Sequence, residues 1–276
     1  MIIPQGERQE FMKFIFTWWK KNKRDLPWRH TRDPYKILVS EVMLQQTNVP
    51  RVLVKYPVFI KKYTTVQDLA KSSTAEVLRI WKGMGYNRRA LYLHQTAKII
   101  HHTYHNQFPI SEQLLSKLPG LGRYTTCAVL VFAYKKDIAM VDTNIRRIIT
   151  HFFFHDTPQP EKNIQDVADQ LVPEGKSWEW HQALMDYGAM HSHAWRRSER
   201  SRRMERSNIP FKQSNRYFRG RVIDLLRGKS YKKNELMKIL SSKYGKDVNF
   251  HLNILKGLGK DGLISFSKAG IISLPE

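Results

Sequence analysis

The sequence predicts an all-α protein that ends in a small unit of helices and two short strands. Three observations carry this. Apolar residues recur at helical spacing through the first three quarters of the 276-residue chain, and no segment there alternates with period two. Helix start and stop signals bracket the periodic segments, and the connections are short. Only near the end do two brief apolar runs flank a turn, at Ser267–Gly270.

The elements follow in order. Glu7 to Lys21 is amphipathic, with Phe11, Phe14, Ile15 and Trp18 on one face. After a loop, Asp33 caps a helix whose first position is Pro34 and which runs to about Gln46. Helices are expected at Arg51–Tyr63, Val66–Ala70, Ser73–Lys82 and Asn87–Tyr104. Ser111–Leu118 and Arg123–Tyr134 are two more, parted only by Pro119-Gly120-Leu121-Gly122. Asp142 caps Thr143–Phe154, and Ile164–Leu171 and Trp178–Met190 follow. In the last 60 residues, Arg216–Arg227, Asn234–Tyr244 and Val248–Asp261 read as three helices. With a β-ribbon over 262–274 they suggest a winged helix, with or without a direct role in binding DNA.

Composition narrows the function. Lysine plus arginine is 47 against 24 acids, a net charge of +23, which points to a polyanionic partner and most simply to nucleic acid. The segment from Trp195 to Arg221 alone carries a net +8. A single cysteine, Cys127, excludes a disulfide framework, a four-cysteine zinc site and an iron–sulfur cluster within this chain. His181, His191 and His193 lie near one another, but neither His-x-His nor a ten-residue gap gives an i, i+4 pair on one helix face, and His101–His102 and His151/His155 read as surface polar residues, so no metal is expected. There is no apolar run of membrane-spanning length, and the first ten residues do not read as a secretory signal.

Two acids could carry chemistry. On a wheel of about 100° per residue, Glu41 lies between Ile37 and Leu38 with Gln45 beside it. Apolar neighbours desolvate a carboxyl and raise its pKa, which suits a general acid. The alternative is a surface glutamate at the edge of the stripe. Asp142 follows Ile138-Ala139-Met140-Val141, and capping alone accounts for it. As a pair, the two acids match what glycosidic cleavage needs: one proton donor and one anion for the sugar cation. The Gly120-Leu121-Gly122 turn exposes backbone amides at a helix start, a geometry able to hold a phosphate.

Seven motifs occur in order: Arg24-Asp-Leu-Pro-Trp-Arg29, Asp33-Pro-Tyr35, Ser40-Glu-Val-Met-Leu-Gln-Gln-Thr47, Gly83-Met-Gly-Tyr86, Leu118-Pro-Gly-Leu-Gly-Arg-Tyr124, Val141-Asp-Thr-Asn144 and Met185-Asp-Tyr-Gly-Ala189. The set, spanning about residues 8 to 190, resembles the helix-hairpin-helix DNA glycosylases and most of all the MutY-type adenine glycosylases. The resemblance implies a two-lobed glycosylase core over 1–213, with a six-helix lobe at about 30–135, a second lobe from 1–29 plus 136–213, and a basic segment at 190–213; a winged-helix-like domain fills 214–276. It implies a monofunctional enzyme of base excision repair that flips out adenine mispaired with 8-oxoguanine or G.

The implied roles fall on residues of this sequence. Glu41 protonates the base and Asp142 stabilises the sugar cation, with Tyr124 and Asn144 in support. Trp28, Arg29 and Asp186 surround the base pocket. Gln46 and Tyr86 enter the base stack, with Gln45, Thr47 and Arg88 nearby. Gly120, Leu121, Gly122 and Arg123 hold a phosphate, and a monovalent cation at this hairpin is allowed for; Arg196 and Arg197 contact DNA from the basic segment. Tyr124 stands where strand-cutting relatives carry a Schiff-base lysine, so no strong lyase activity is expected.

Two departures stand out. Most relatives place four cluster-binding cysteines after the Gly-Ala of the last motif; here Met190 to Arg206 contains none, so a cluster-free protein is expected. The 60-residue tail is also too short for the Nudix-like domain of many relatives. The expected partner is mismatched double-stranded DNA, bound by a monomer away from membranes, in a prokaryotic cytoplasm and nucleoid or else a nucleus. Two alternatives stay open: a thymine/uracil glycosylase for G·T and G·U mismatches, and a non-catalytic winged-helix DNA-binding protein.

Overall fold

The computed structural model describes residues 1–202 and 210–276, with the side chains of 192–202 outside the description. The order is α1 (Gln5–Asn22), a 3₁₀ turn (Pro27–Arg29), α2 (Pro34–Leu44), α3 (Val49–Lys62), α4 (Val66–Lys71), α5 (Thr74–Ile80), α6 (Arg88–His102), α7 (Glu112–Leu115) and α8 (Arg123–Tyr134). Then come α9 (Thr143–Phe154), α10 (Glu161–Gln170), α11 (Ser177–Arg202), a second 3₁₀ turn (Phe211–Gln213), α12 (Asn215–Leu226), β1 (Tyr231–Lys232), α13 (Lys233–Tyr244), α14 (Val248–Lys260), β2 (Ser265–Phe266) and β3 (Ile271–Ser273). Among the described residues the fold is all-α apart from these three short strands.

Local chemistry sets the helix starts. Asp33 accepts from the Tyr35 amide at 2.9 Å, as expected of a cap. Thr65 and Ser73 open α4 and α5 with reciprocal capping boxes to Asp68 and Glu76. Most expected boundaries shift by one to three residues, and three differences are informative. The second helix ends at Leu44, because Gln46 takes a left-handed φ of +52° that no α-helix accommodates. The helix expected at Ser111–Leu118 shrinks to the single turn α7. The last core helix runs past Met190 to Arg202.

The chain forms two compact units: Met1–Glu41, Pro109–Lys117 and Leu121–Arg206 in one, and Val42–Phe108, Leu118–Gly120 and Ser207–Glu276 in the other. The expected lobe 30–135 is divided between them, because α8 packs on α7 and α11 in the first unit. The core of the first unit gathers Phe11 and Ile15 of α1, Ile145 and Ile148 of α9, Val167 of α10 and Trp180 of α11. The distant α1 and α11 meet there because both present apolar stripes.

The second unit joins the α3–α6 bundle to the C-terminal domain rather than leaving 214–276 separate. Arg227 of α12 donates to the Leu78 carbonyl at 2.8 Å and to Asn87 Oδ1 at 2.9 Å. The Ala75 amide donates to the Pro275 carbonyl at 2.7 Å. The domain has the expected three helices and a ribbon, with an unforeseen third strand: β1 pairs antiparallel with β3, giving the order β1-β3-β2. Two residues cannot show a period-two pattern, so β1 left no trace in the sequence.

Candidate active site

Three helix ends of the first unit bring four side chains together. Glu41 sits late in α2, where Ile37 and Leu38 are 2% and 1% exposed and Glu41 itself only 6%. Tyr124 lies in the first turn of α8. Asp142 caps α9: one carboxylate oxygen accepts from the Ile145 amide at 2.7 Å and the other from Asn144 Nδ2 at 3.1 Å. The four residues named for catalysis thus fall in one unit.

Burial raises the Glu41 carboxyl from an ordinary 4.5 to about 7. The Tyr124 hydroxyl donates to that carboxylate and pulls the other way, while the charge of Asp142 adds to the rise. Tyr124 is itself held well above the usual phenol range by burial and by the two carboxylates, so it remains a donor. Burial raises the Asp142 carboxyl above its usual range, opposed by the Ile145 and Asn144 amides, the Asn144 side chain and the charge of Arg147, all of which favour its anion. Two carboxyls in one unit therefore differ in what surrounds them, one apolar and one rich in donors.

Two supports were not legible beforehand. In the sequence His181 invites attention only as a metal ligand. It is 1% exposed, its Nε2 accepts from the Met140 amide at 3.1 Å, and its Nδ1 meets the Ser177 carbonyl at 2.7 Å. Burial lowers its pKa to about 4, so the neutral ring fixes the extended segment leading into Asp142. At Gly188 of α11, a Cβ would fall 2.6 Å from Asn144 Cβ. Only glycine there lets α11 press against the residue that steers Asp142.

The residues expected at the base pocket are packed into the same unit. Trp28 is 7% exposed in the first 3₁₀ turn. Arg29 grips Asp186 with both terminal nitrogens, at 2.8 and 2.7 Å. Asp186 also accepts from Arg24 Nε at 2.6 Å, the Arg24 amide at 3.1 Å and Trp19 Nε1 at 2.9 Å. Burial pushes its carboxyl up, yet the arginines overcome this and hold it below the usual range. This pair acts first as a buried tie between α11 and the segment before α2.

The expected DNA-facing residues Gln45, Gln46, Thr47, Tyr86 and Arg88 lie in the second unit. Gln46 and Tyr86 both adopt left-handed φ, +52° and +43°. Such strain in non-glycine residues is kept only when neighbours over-determine it. Arg89, which sequence reasoning passed over, does so. Its guanidinium donates to the carbonyls of Val42, Met43 and Gln45 at 2.6 to 2.9 Å, to Thr47 Oγ1 at 3.0 Å and to the Met84 carbonyl at 2.9 Å. One buried arginine thereby ties the Gln45–Thr47 turn to the Gly83–Tyr86 loop. Arg88 pairs with Asp261 of the C-terminal domain.

At the hairpin, Gly120 has φ +77°, and a Cβ there would lie 2.8 Å from Tyr92 Cβ. Gly122 caps α8 with nothing within 4 Å of a Cβ position, and neither its amide nor that of exposed Arg123 donates to another described backbone carbonyl. Leu121 is buried at 6%. The side chains of Arg196 and Arg197 lie outside the described residues.

Residues 39–174 match the family described as HhH-GPD superfamily base excision DNA repair protein. A thymine/uracil-DNA glycosylase of Methanothermobacter thermautotrophicus is 36% identical over 67% of this chain and 85% of its own length. An adenine DNA glycosylase of Mycobacterium tuberculosis is 33% identical over 83% of this chain and 84% of its own length. Among solved structures, a thermostable thymine-DNA glycosylase superposes with a TM-score of 0.63 at 35% identity, over 67% of this chain and 87% of that one. A trapped endonuclease III–DNA intermediate superposes at 0.61 with 18% identity over 77% and 93%, a likeness of fold.

Proposed function

We propose, for a chain that belongs to the HhH-GPD superfamily of base excision DNA repair proteins, that it is a monofunctional glycosylase hydrolysing the N-glycosidic bond of adenine opposite 8-oxoguanine or G. The observation that carries the chemistry is the Glu41 carboxyl, buried beside Tyr124 and Asp142 and raised to about 7. Near neutral pH it is protonated in part of the molecules and gives its proton to a ring nitrogen of the extruded base as the bond to the sugar breaks. Asp142, whose amide donors and neighbouring Arg147 oppose the rise that burial causes, lies against the developing sugar cation. Water completes hydrolysis. A tyrosine at position 124 offers no amine, so the abasic strand is left uncut.

DNA is held through the Gly120–Arg123 hairpin, while Gln46 and Tyr86 enter the base stack. The run Gln45-Gln46-Thr47 and the long match to the mycobacterial adenine glycosylase support the adenine reading. The thymine/uracil glycosylase relative supports the second reading, removal of T or U opposite G. An iron–sulfur cluster does not fit this chain: four thiolates are required, and the one cysteine, Cys127, is a buried α8 residue. Iron analysis of the purified protein is expected to find none.

The test is single-turnover base release from duplexes carrying A·8-oxoG, A·G, T·G and U·G, with alkali cleavage to reveal abasic sites. Release of adenine alone supports the proposal. Release of T or U opposite G replaces it with the second reading, and release of no base leaves a DNA-binding role. Borohydride trapping checks the lyase claim, and a covalent adduct would refute it.

A further inference from the structure

The second unit contains a cleft of about 990 Å³. Its walls include the Gln45–Gln46 turn, the Gly83–Tyr86 loop and the start of α12. Seven arginines line it against two aspartates, so its field favours a polyanion. Both aspartates are engaged: Asp261 by Arg88 and Arg219, and Asp224 by Arg221 and Arg227.

Arg216 is placed differently. Among the described residues no carboxylate meets it. Its guanidinium lies 3.6 Å from the centroid of the Tyr86 ring, and its Nη1 donates to the Tyr86 hydroxyl at 2.6 Å. Phe211 comes within 5.5 Å of the same cation. Tyr86 is 38% exposed and carries the left-handed φ of +43°. Arg89 restrains the backbone of that loop, and Arg216, from the C-terminal domain, restrains the ring.

We propose that Arg216 is a positioning residue for Tyr86, and that the three-helix C-terminal domain thereby takes part in distorting the DNA. This rests on the reading of Tyr86 as the ring that enters the base stack. A ring free at χ1 loses entropy on entering a duplex, whereas a ring already clamped by a planar cation has lost it beforehand. The guanidinium brings a positive charge, uncompensated by any described carboxylate, to the point where a strand is prised open. Ring and cation act as one wedge, the ring against a base and the cation toward the backbone.

The experiment uses the full chain and a duplex with a non-cleavable abasic analogue beside 2-aminopurine, whose fluorescence rises on unstacking. Arg216→Ala, Arg216→Lys, Tyr86→Ala and the double variant Arg216→Ala/Tyr86→Ala are compared, with thermal melting to confirm folding. The expectation is that Arg216→Ala weakens the unstacking equilibrium about tenfold. Arg216→Lys, which keeps the charge but loses the planar stack, recovers less than half of the signal. In the Tyr86→Ala background, Arg216→Ala costs nothing more. Additive losses, or full recovery with lysine, would make Arg216 a simple phosphate contact and overturn the proposal, as would a wild-type protein that leaves the duplex stacked. The readout needs no base release. Coupled unstacking without excision would remove the glycosylase reading and leave the wedge intact.

Discussion

The Tyr124 hydroxyl donates its hydrogen bond to the carboxylate of Glu41, 83 positions away in the chain, and is the largest influence opposing the rise in that acid's pKa. A buried carboxyl alone would stay protonated and be a weak donor; the phenol moderates it to about 7, near the pH at which it has to work.

Glu41→Gln is expected to lower single-turnover base release by about 10²- to 10⁴-fold while leaving DNA affinity nearly unchanged. In the wild type the rate falls as pH rises through about 7, because the acid must be protonated. Tyr124→Phe removes the bond that favours ionised Glu41, so its limb of the pH–rate profile moves to higher pH. A limb that stays put or moves down would refute the role given to the phenol.

The same acid costs stability. Its folded pKa of about 7 lies above the ordinary 4.5, so the stability present below 4.5 is lost as pH rises to about 7. At pH 8 the ionised carboxyl is a buried burden of about 3 kcal/mol. Glu41→Gln is therefore expected to be more stable than wild type at pH 8 and equal to it near pH 4. Denaturant midpoints at the two pH values decide this.

Asp142→Asn keeps an acceptor for the Ile145 amide but loses the anion. Base release is expected to fall on the order of a hundredfold or more, with α9 intact. Asp142→Ala also loses the cap and costs about 1 kcal/mol more in folding stability. Equal stability of the two variants would deny the capping role.

Asp186→Ala leaves the buried Arg29 unpaired and is expected to destabilise the protein by about 3 to 5 kcal/mol. Because its arginines hold Asp186 below the usual carboxylate range, the stability it provides is present at neutral pH and lost as pH falls through that low value. Acid unfolding of wild type and variant, followed by circular dichroism, tests both claims.

The two hairpin glycines are expected to separate. Gly120→Ala meets Tyr92 and a left-handed backbone, and is expected to cost about 1 to 3 kcal/mol of stability. Gly122→Ala meets nothing in the protein, so its melting temperature stays level while DNA affinity falls. A Gly122→Ala protein that binds DNA normally would place the phosphate elsewhere.

Much of this was legible in the chain. Helical periodicity marked most helices, because burial of one face writes itself into residue spacing. Asp33 and Asp142 were readable as caps, since capping is decided within a few residues. Glu41 stood out because its apolar neighbours lie on its own helix. The third strand, two residues long, and the early end of α2, fixed by the backbone at Gln46, had no such local signature.

By itself the sequence determined the helices, the cationic surface, the single cysteine and the residue types that the chemistry requires, all of which depend on composition or near neighbours. Tertiary structure alone decided how those residues are used. It turned Arg29 and Asp186, 157 positions apart, into a buried tie. It made His181 a prop for the segment before Asp142 and Arg89 the staple of two loops. It also laid Arg216 over Tyr86 from 130 positions away. The physical reason is range: a cap or an amphipathic face is settled within a turn or two, whereas a hydrogen bond or a desolvation penalty depends on whichever distant segment folding brings alongside.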